Sequence, residues 1–373
     1  MERLSREKVK PLAEQYGETD EVPQEIIDAM KEAGIFRILF PEQYGGDGVS
    51  AVKLCIAREA LSRFSVVADV TLAMQGLGGY PIVVAGDKEQ KEKYLPLLAG
   101  GDLLSTYALT EPGAGSDVAS MESTAVKDGD CYILNGTKRF ISNGFRADMG
   151  VVFAKTDRDR GNRGISAFIY TKGMEGLSIR KRIKLMALHD LVELQFTDCR
   201  VPATNMLGAE NGGFKTAMQT LDLLRMSVGA SALGTARAAL DLAVRFSLRR
   251  KTFGNPISSY QGVSFKLADM ATELDAARLL VYRAADLMDK GAGRVTKESS
   301  MAKYYATEMA GRVVDMAVQI HGGIGVTRGM DVERLFREAR APRVYEGTTE
   351  IQKMVIANLI LREAKEREGD QQS

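Results

Sequence analysis

The chain has 373 residues, with 50 Lys and Arg against 49 Asp and Glu, for a formal net charge of +1. This balance argues against a nucleic-acid binder that depends on a basic field, and against general attraction to an anionic membrane. Three widely spaced cysteines fit neither a zinc site nor a disulfide framework. The charged N-terminus is no secretory signal, and no apolar run predicts a membrane span. We expect a globular protein of the cytoplasm, or of the mitochondrial matrix if a transit peptide is removed.

Residues 1–103 are predicted to form an N-terminal helical domain. Pro23 can open a helix, and apolar residues recur at helical spacing between Ser50 and Phe64. A further helix over 88–98 is closed by the glycine pair 100–101.

Residues 104–208 are predicted to form a central antiparallel β domain. Asp128-Gly129 separates two runs as a hairpin turn does. The segments 151–154 and 165–170 are short, apolar and rich in β-branched or aromatic residues. From Val192 to Phe196 apolar and polar residues alternate, which predicts a strand with one buried face.

Residues 209–373 are predicted to form a helical bundle, because the helical period returns after Gly212-Gly213. The segment 267–288 carries apolar residues at alternating spacings of three and four, which is typical of a bundle seam. Glycine-containing breaks at 254–256 and 291–293 predict short connections between antiparallel helices. The expected fold class is α+β and mostly α, with a C-terminal four-helix bundle.

The segment Tyr107–Asp117 combines a predicted strand with a glycine-rich loop. Such a loop exposes backbone N–H groups that suit a phosphate or a flavin edge, but a plain surface turn has the same composition. The segment is not a Walker loop, and it lacks the Gly-x-Gly-x-x-Gly fingerprint of a dinucleotide fold.

Five motifs in order together resemble the acyl-CoA dehydrogenase family. The segment 107–117 is similar to its flavin signature, and Phe140-Ile141-Ser142-Asn143-Gly144 to its second flavin segment. The other three motifs are Arg250-Lys251-Thr252-Phe253-Gly254, Gln319-Ile320-His321-Gly322-Gly323 and Tyr345-Glu346-Gly347-Thr348.

The resemblance implies the fold predicted above, with non-covalent FAD in a homotetramer or a dimer. It implies oxidation of an acyl-CoA to the trans-2-enoyl-CoA, with hydride transfer to flavin N5 and electron-transferring flavoprotein as acceptor. Glu346 would remove the α-proton, since desolvation can raise a carboxyl pKa towards the working range. Some family members carry the base at the position of Leu224, which cannot take a proton. Arg225, Ser116 and Tyr345 would contact the acyl-CoA, and no metal is implied.

The resemblance also assigns the residues that contact FAD, several of them across a subunit boundary. Glu350 replaces a commoner Gln and cannot donate a hydrogen bond when ionised. The assigned residues are Tyr107, Leu109, Thr110, Ser116, Phe140, Ser142, Arg250, Phe253, Gln319, Gly323, Thr348 and Glu350.

Asp69 lies on the predicted helix that aligns with the acyl-pocket helix of the family. A carboxylate there would repel a second carboxylate, which argues against glutaryl-CoA and leaves short, branched or cyclic acyl groups. Asp69 is either a second base for 1,4-elimination on a cyclohexene-carbonyl-CoA or a structural residue at the helix start. An acyl-CoA oxidase is a further alternative. An assembly protein on this fold would have lost the base or the flavin loop, and both motifs are intact.

Overall fold

The computed structural model describes residues 1–187 and 189–370 and confirms the predicted class: helices, then a sheet, then a helical bundle. The chain forms two compact units. The sheet unit contains Arg3–Ser50 and Ser65–Leu224, and the bundle unit contains Met1–Glu2, Ala51–Phe64 and the chain from Arg225 onwards. The predicted domain boundaries at 103 and 208 stay predictions, because these units are assembled from separate stretches of chain.

Six helices precede the sheet: α1 (Glu2–Leu4), α2 (Lys10–Tyr16), α3 (Gln24–Glu32), α4 (Ala51–Ser62), α5 (Val66–Ala85) and α6 (Lys88–Gly100). α6 begins with a reciprocal cap, in which the Asp87 carboxylate accepts from the Gln90 N–H and the Gln90 side chain accepts from the Asp87 N–H. It ends at Gly101, whose φ of 73° is left-handed. α4 belongs to the bundle unit.

α5 is long and apolar enough to cross a membrane by length and composition. The sequence analysis predicted no such segment. Because 83% of the apolar window is buried inside the protein, α5 has the environment of a core helix. Ser65 caps it by accepting a hydrogen bond from the Ala68 N–H.

The sheet has seven strands: β1 (Ser105–Ala108), β2 (Thr124–Asp128), β3 (Cys131–Ser142), β4 (Met149–Lys155), β5 (Ile165–Thr171), β6 (Leu177–Arg182) and β7 (Leu191–Pro202). The strand order is β1-β4-β2-β3-β7-β6, with β5 on β4. The predicted hairpin is confirmed, because Asp128 pairs with Cys131 around Gly129, whose φ is 61°. The sheet is mostly antiparallel as expected, except that β4 runs parallel to β1 and β2.

β7 differs from the predicted alternation, because Glu193 is fully buried between apolar neighbours. Its carboxylate accepts a hydrogen bond of 2.6 Å from Arg139 Nε and lies 3.2 Å from Arg180 Nη1. The Arg139 hydrogen bond is the main reason that the pKa of Glu193 falls below its usual range. Alternation alone would place Glu193 on the exposed face. The carboxylate is buried because Arg139 on β3 and Arg180 on β6 supply compensating positive charge.

The bundle unit is built from α7 (Gly213–Arg249), α8 (Gln261–Asp289), α9 (Thr296–His321), α10 (Asp331–Glu338) and α11 (Thr349–Asp370), with a small hairpin of β8 (Lys251–Thr252) and β9 (Asn255–Pro256) after α7. Most of the predicted seam on α8 is buried, from Met270 to Ala284. A Cβ at Gly229 on α7 would lie 2.8 Å from Val281 Cγ2, so this glycine lets α7 and α8 approach closely.

Candidate active site

The glycine-rich loop begins directly after β1 in the sheet unit. Leu109 is buried, Thr110 is half-buried and Ser116 is exposed. A Cβ at Gly113 or Gly115 would meet no heavy atom within 4 Å, so the backbone there faces open space. The loop therefore offers uncovered backbone groups, as a phosphate or cofactor site requires.

A buried ion pair fixes this loop to the sheet. Lys138 Nζ on β3 lies 2.7 Å from Glu111 Oε1 and also donates to the Leu109 carbonyl at 3.1 Å. The Glu111 carboxylate accepts the backbone N–H groups of Glu122 and Ser123. Burial lowers the pKa of Lys138 to about 8, and the charge of Glu111 opposes that shift. Lys138 had no predicted role, although it lies two residues before the second flavin motif.

Phe140 is presented to solvent by an irregularity in β3. The pairing with β7 shifts register between Lys138 and Ile141, and Phe140 has a φ of 59° with 52% of its surface exposed. Arg139, Phe140, Lys181 and Arg182 line a cavity of about 330 Å³. A bulge of this kind turns a side chain away from the regular sheet, which is common beside active sites.

Ser142 ends β3 and its hydroxyl has a histidine neighbour. The Oγ atom lies 3.3 Å from Nε2 of His189, while the Ser142 carbonyl accepts from the Thr106 hydroxyl at 2.6 Å. Burial lowers the pKa of His189 to about 4. His189 is therefore neutral at pH 7 and can exchange a hydrogen bond with Ser142 in one tautomer. No local sequence pattern reveals this contact, because it joins residues 47 positions apart.

In the bundle unit the β8–β9 hairpin carries a strongly exposed aromatic side chain. Phe253 has a φ of 51° and is 91% exposed. It lines a cavity of about 360 Å³ together with Gln319, which the sequence analysis assigned to the same cofactor. Arg250 is close to Phe253 in sequence, and Gly323 is close to Gln319. Both are exposed, but neither is among the residues that line this cavity.

Glu346 lies in a tight turn between a short 3₁₀ turn at Ala341–Arg343 and α11. Its φ is 51° and that of Gly347 is 91°. Lys303 Nζ on α9 donates to the Gly347 carbonyl at 2.6 Å. Gln352 Nε2 donates to the carbonyls of both Glu346 and Gly347 at 3.2 Å. The turn is thus held by two fully buried polar side chains that sequence reasoning did not identify.

The remaining assigned residues of the bundle unit lie around this turn. Arg225 on α7 is buried and Tyr345 is half-buried. Thr348 Oγ1 accepts the Ile351 N–H at the start of α11, and Glu350 is exposed on its first turn. Arg225 and Glu346 both act on the charge of Lys303, so the structure brings these three residues together.

Three of the assigned site residues have a left-handed backbone conformation that is rare for their residue types. Among the described residues, six non-glycine residues have a positive φ. Three are Asn or Asp, which tolerate this conformation. The other three are Phe140, Phe253 and Glu346, and the sequence analysis assigned each of them to the site. Backbone strain of this kind concentrates at functional sites.

Asp69 and Leu224 are the two positions at which the sequence analysis considered another base. Asp69 is fully buried in the first turn of α5 and has an interaction partner, so the carboxylate is not on the outer surface. Leu224 is also fully buried, and its Cδ1 lies 2.9 Å from where a Cβ would stand on Gly76 of α5. The position that carries the base in some relatives is therefore an apolar packing position here.

Three family models match the chain in succession: the acyl-CoA dehydrogenase N-terminal domain over residues 1–102, the middle domain over 106–199 and the C-terminal domain over 211–361. The chain belongs to the acyl-CoA dehydrogenase family. It is an FAD-dependent oxidoreductase that acts on CH–CH groups.

Similar proteins match over nearly their whole length. An acyl-CoA dehydrogenase of Bacillus subtilis is 45% identical over 96% of this chain and 95% of its own. The CarC subunit of a caffeyl-CoA reductase–Etf complex from Acetobacterium woodii is 43% identical, with coverages of 96% and 95%. The structure of butyryl-CoA dehydrogenase from Megasphaera elsdenii has a TM-score of 0.93 at 40% identity and covers 96% of each chain.

FAD suits the residues present. The sheet unit offers three kinds of group for the cofactor. The open backbone at Gly113 and Gly115 can bind an anion, the half-exposed ring of Phe140 can stack, and the hydroxyl of Ser142 can form a hydrogen bond. Phe253 and Gln319 provide an aromatic ring and an amide at one cavity of the bundle unit. No group of His, Cys, Asp and Glu side chains among the described residues could hold a metal ion.

Proposed function

We propose that the enzyme converts a short, branched or cyclic acyl-CoA to its 2-enoyl-CoA, with Glu346 as the base that removes the α-proton. The observation that carries this proposal is the strained turn at Glu346, clamped by Lys303 and Gln352. Such strain persists only where the surroundings over-determine it, which suits a side chain held for chemistry. The alternative base position carries Leu224, which cannot take a proton.

Each residue has a separate task in the proposed reaction. Glu346 would take the α-proton, and its own backbone N–H would donate to the thioester oxygen as charge develops there. Arg225 supplies positive charge for the CoA part of the substrate. When bound, FAD would supply the acceptor for the hydride that leaves the β-carbon. The residues that would hold FAD are those of the glycine-rich loop, Phe140 and Ser142.

The acyl group is proposed to lack a distal carboxylate. The family resemblance aligns α5 with the acyl-pocket helix, and Asp69 is an acidic residue in the first turn of α5. A second carboxylate next to it would be disfavoured by like-charge repulsion. This supports short, branched or cyclic monoacyl-CoA esters over dicarboxylic ones.

Two partners follow from the family and from the surface. We propose electron-transferring flavoprotein as the electron acceptor, since one 43% identical relative is a subunit of a reductase–Etf complex. We propose that a second copy of the chain covers Phe253, whose ring is too exposed for an isolated subunit. Large apolar side chains are also exposed elsewhere on the bundle unit at Leu248, Phe265, Leu279, Val326, Met354 and Leu361. A homotetramer or dimer would bury them.

Reduction of a 2-enoyl-CoA is a second candidate direction, which the 43% identical subunit of a caffeyl-CoA reductase complex favours. The same residues would serve it in reverse, with protonated Glu346 donating to the α-carbon. The direction is tested by supplying saturated and unsaturated CoA esters with reduced or oxidised electron-transferring flavoprotein. An oxidase would instead turn over with O₂ as sole acceptor.

The proposed base is tested by Glu346→Gln, which keeps size and polarity but cannot take a proton. Holoenzyme is mixed anaerobically with a panel of acyl-CoA esters, and the bleaching of the flavin is followed. We expect unchanged FAD content, retained binding of an enoyl-CoA and a rate roughly 10²-fold lower or more. Glu366→Gln, on the exposed end of α11 next to Arg362, is the matched control. Bleaching of Glu346→Gln at the wild-type rate would refute the assignment.

A further inference from the structure

Lys303 is a fully buried lysine on α9 that the assigned chemistry does not use. Lysine is almost never fully buried without a partner, because removing an ammonium from water is costly. Its Nζ donates a 2.6 Å hydrogen bond to the carbonyl of Gly347, the residue after Glu346. The cation thus ends at the backbone of the turn that presents the proposed base.

The turn needs such support. Glu346 and Gly347 both have positive φ, at 51° and 91°. The Gly347 carbonyl accepts from Lys303 and from Gln352, whose amide also donates to the Glu346 carbonyl. Glu308 fixes the flanks of the turn, since its carboxylate binds Thr349 and Arg343 at 2.6 Å each.

The charges around Lys303 come from the turn and from three helices. Glu346 from the turn, Glu308 from α9 and Glu350 from α11 are negative, whereas Arg225 from α7 is positive. Burial lowers the pKa of Lys303 to about 8, opposed first by Glu346, while Arg225 adds to the lowering. Lys303 is therefore mainly a cation at pH 7 and mainly neutral above pH 8. Among these four charged groups, Glu346 has the largest effect on the pKa of Lys303.

We propose that Lys303 is a positioning residue for Glu346: its ammonium holds the 346–347 turn and favours the ionised carboxylate that accepts the substrate proton. This inference rests on the proposed role of Glu346 as the base. In this proposal Lys303 does not take the substrate proton. It acts through the Gly347 carbonyl and through its charge.

The proposal predicts a specific change in the pH profile. A cation beside a carboxyl lowers the pH at which that carboxyl ionises, typically by about 1–3 units. Without the cation, Glu346 must be deprotonated at higher pH. The acid limb of kcat/KM should therefore move up by roughly one unit or more in Lys303→Met. In the wild type, activity should also fall above about pH 8 as Lys303 loses its proton, since the charge-assisted hydrogen bond to Gly347 weakens.

The experiment compares holoenzyme of the wild type with Lys303→Met, Lys303→Arg and the control Lys297→Met. Lys297 lies on the same helix, but it pairs with Glu363 at 2.6 Å. We expect Lys303→Met to move the acid limb of kcat/KM to higher pH. Lys303→Arg should leave the acid limb in place and remove the fall in activity above about pH 8. Lys297→Met should leave the whole profile unchanged. The pH dependence of enoyl-CoA binding, measured by calorimetry, is a readout independent of turnover.

Two results would overturn the inference. One is a lower rate of Lys303→Met at every pH with both limbs unmoved, which a merely structural lysine would give. The other is an alkaline limb of Lys303→Arg that is unchanged from the wild type. This result refutes the inference by itself, even if Lys303→Met does not fold. Failure of the proposed function is separate, because it is recognised by an active Glu346→Gln. If Glu346→Gln is inactive and neither Lys303 variant moves a limb of the pH profile, then Glu346 remains the base and Lys303 does not position it.

Discussion

Lys138 Nζ lies 2.7 Å from Glu111 Oε1, and both side chains are almost completely buried. Glu111 is part of the glycine-rich loop, and Lys138 lies on β3 two residues before Phe140. The pair therefore joins the two predicted flavin segments of the sheet unit through charge as well as through the backbone bond from the Arg139 N–H to the Thr110 carbonyl. The loop is positioned by a buried ion pair whose loss should separate the two segments.

Lys138→Met should destabilise the protein strongly, because it leaves the Glu111 carboxylate buried without its cation. Removing one partner of a buried pair typically costs about 3–5 kcal/mol. The double variant Lys138→Met/Glu111→Gln removes both charges and should recover a large part of that loss. Chemical unfolding and FAD content are measured for both. Equal destabilisation of the single and the double variant would contradict a charge-based role.

Hydrophobic periodicity predicted the order of helices, sheet and bundle, because it is a local property of the sequence. The same analysis could not find Lys138 or Lys303, since their partners lie 27 and 44 residues away. It also expected Glu193 on an exposed face, because alternation alone does not reveal cations on neighbouring strands. Residues with a local signature were predictable, whereas residues that support them through tertiary contacts were not.

Gly347→Ala should reduce turnover more than stability. At a φ of 91° a side chain is strained, and the added Cβ would overlap Nε2 of Gln352, which clamps the turn. We expect a loss of more than about 1 kcal/mol in unfolding free energy. Displacement of Glu346 should lower kcat by roughly 10²-fold. Gly291→Ala is the control, because its φ is 63° but its Cβ would meet nothing within 4 Å. The control should lose stability alone; equal kcat values for the two variants would argue against a positioned turn.

Phe253→Ser should weaken the oligomer without unfolding the subunit. The ring is 91% exposed, so it contributes little to the fold of a single chain. A buried aromatic at an interface commonly contributes about 2 kcal/mol or more, roughly a 30-fold change in dissociation constant. Sedimentation and FAD retention on dilution measure the effect. Val126→Ser, at an exposed position on β2, is the control. Unchanged sedimentation of Phe253→Ser at every concentration would exclude Phe253 from the interface.

Asp69→Asn separates a catalytic carboxylate from a structural one. Asp69 lies in the first turn of α5, where a negative charge is stabilised by the helix dipole, and it is buried with a partner. Both features give the carboxylate a structural reason to be there. We therefore expect Asp69→Asn to lower the unfolding free energy by about 1–2 kcal/mol.

Activity on different acyl groups completes the Asp69 test. With a structural role, rates on butyryl-CoA and on cyclohexene-carbonyl-CoA should change together and only slightly. A second base would instead show as a loss of roughly 10²-fold on the cyclic ester, with the straight-chain rate nearly kept. Asp87→Asn, which alters the N-terminal cap of α6, is the control for a stability loss at a helix start. A selective loss in Asp69→Asn alone would establish the 1,4-elimination chemistry, because a helix-start carboxylate that acts only on stability cannot discriminate between acyl chains.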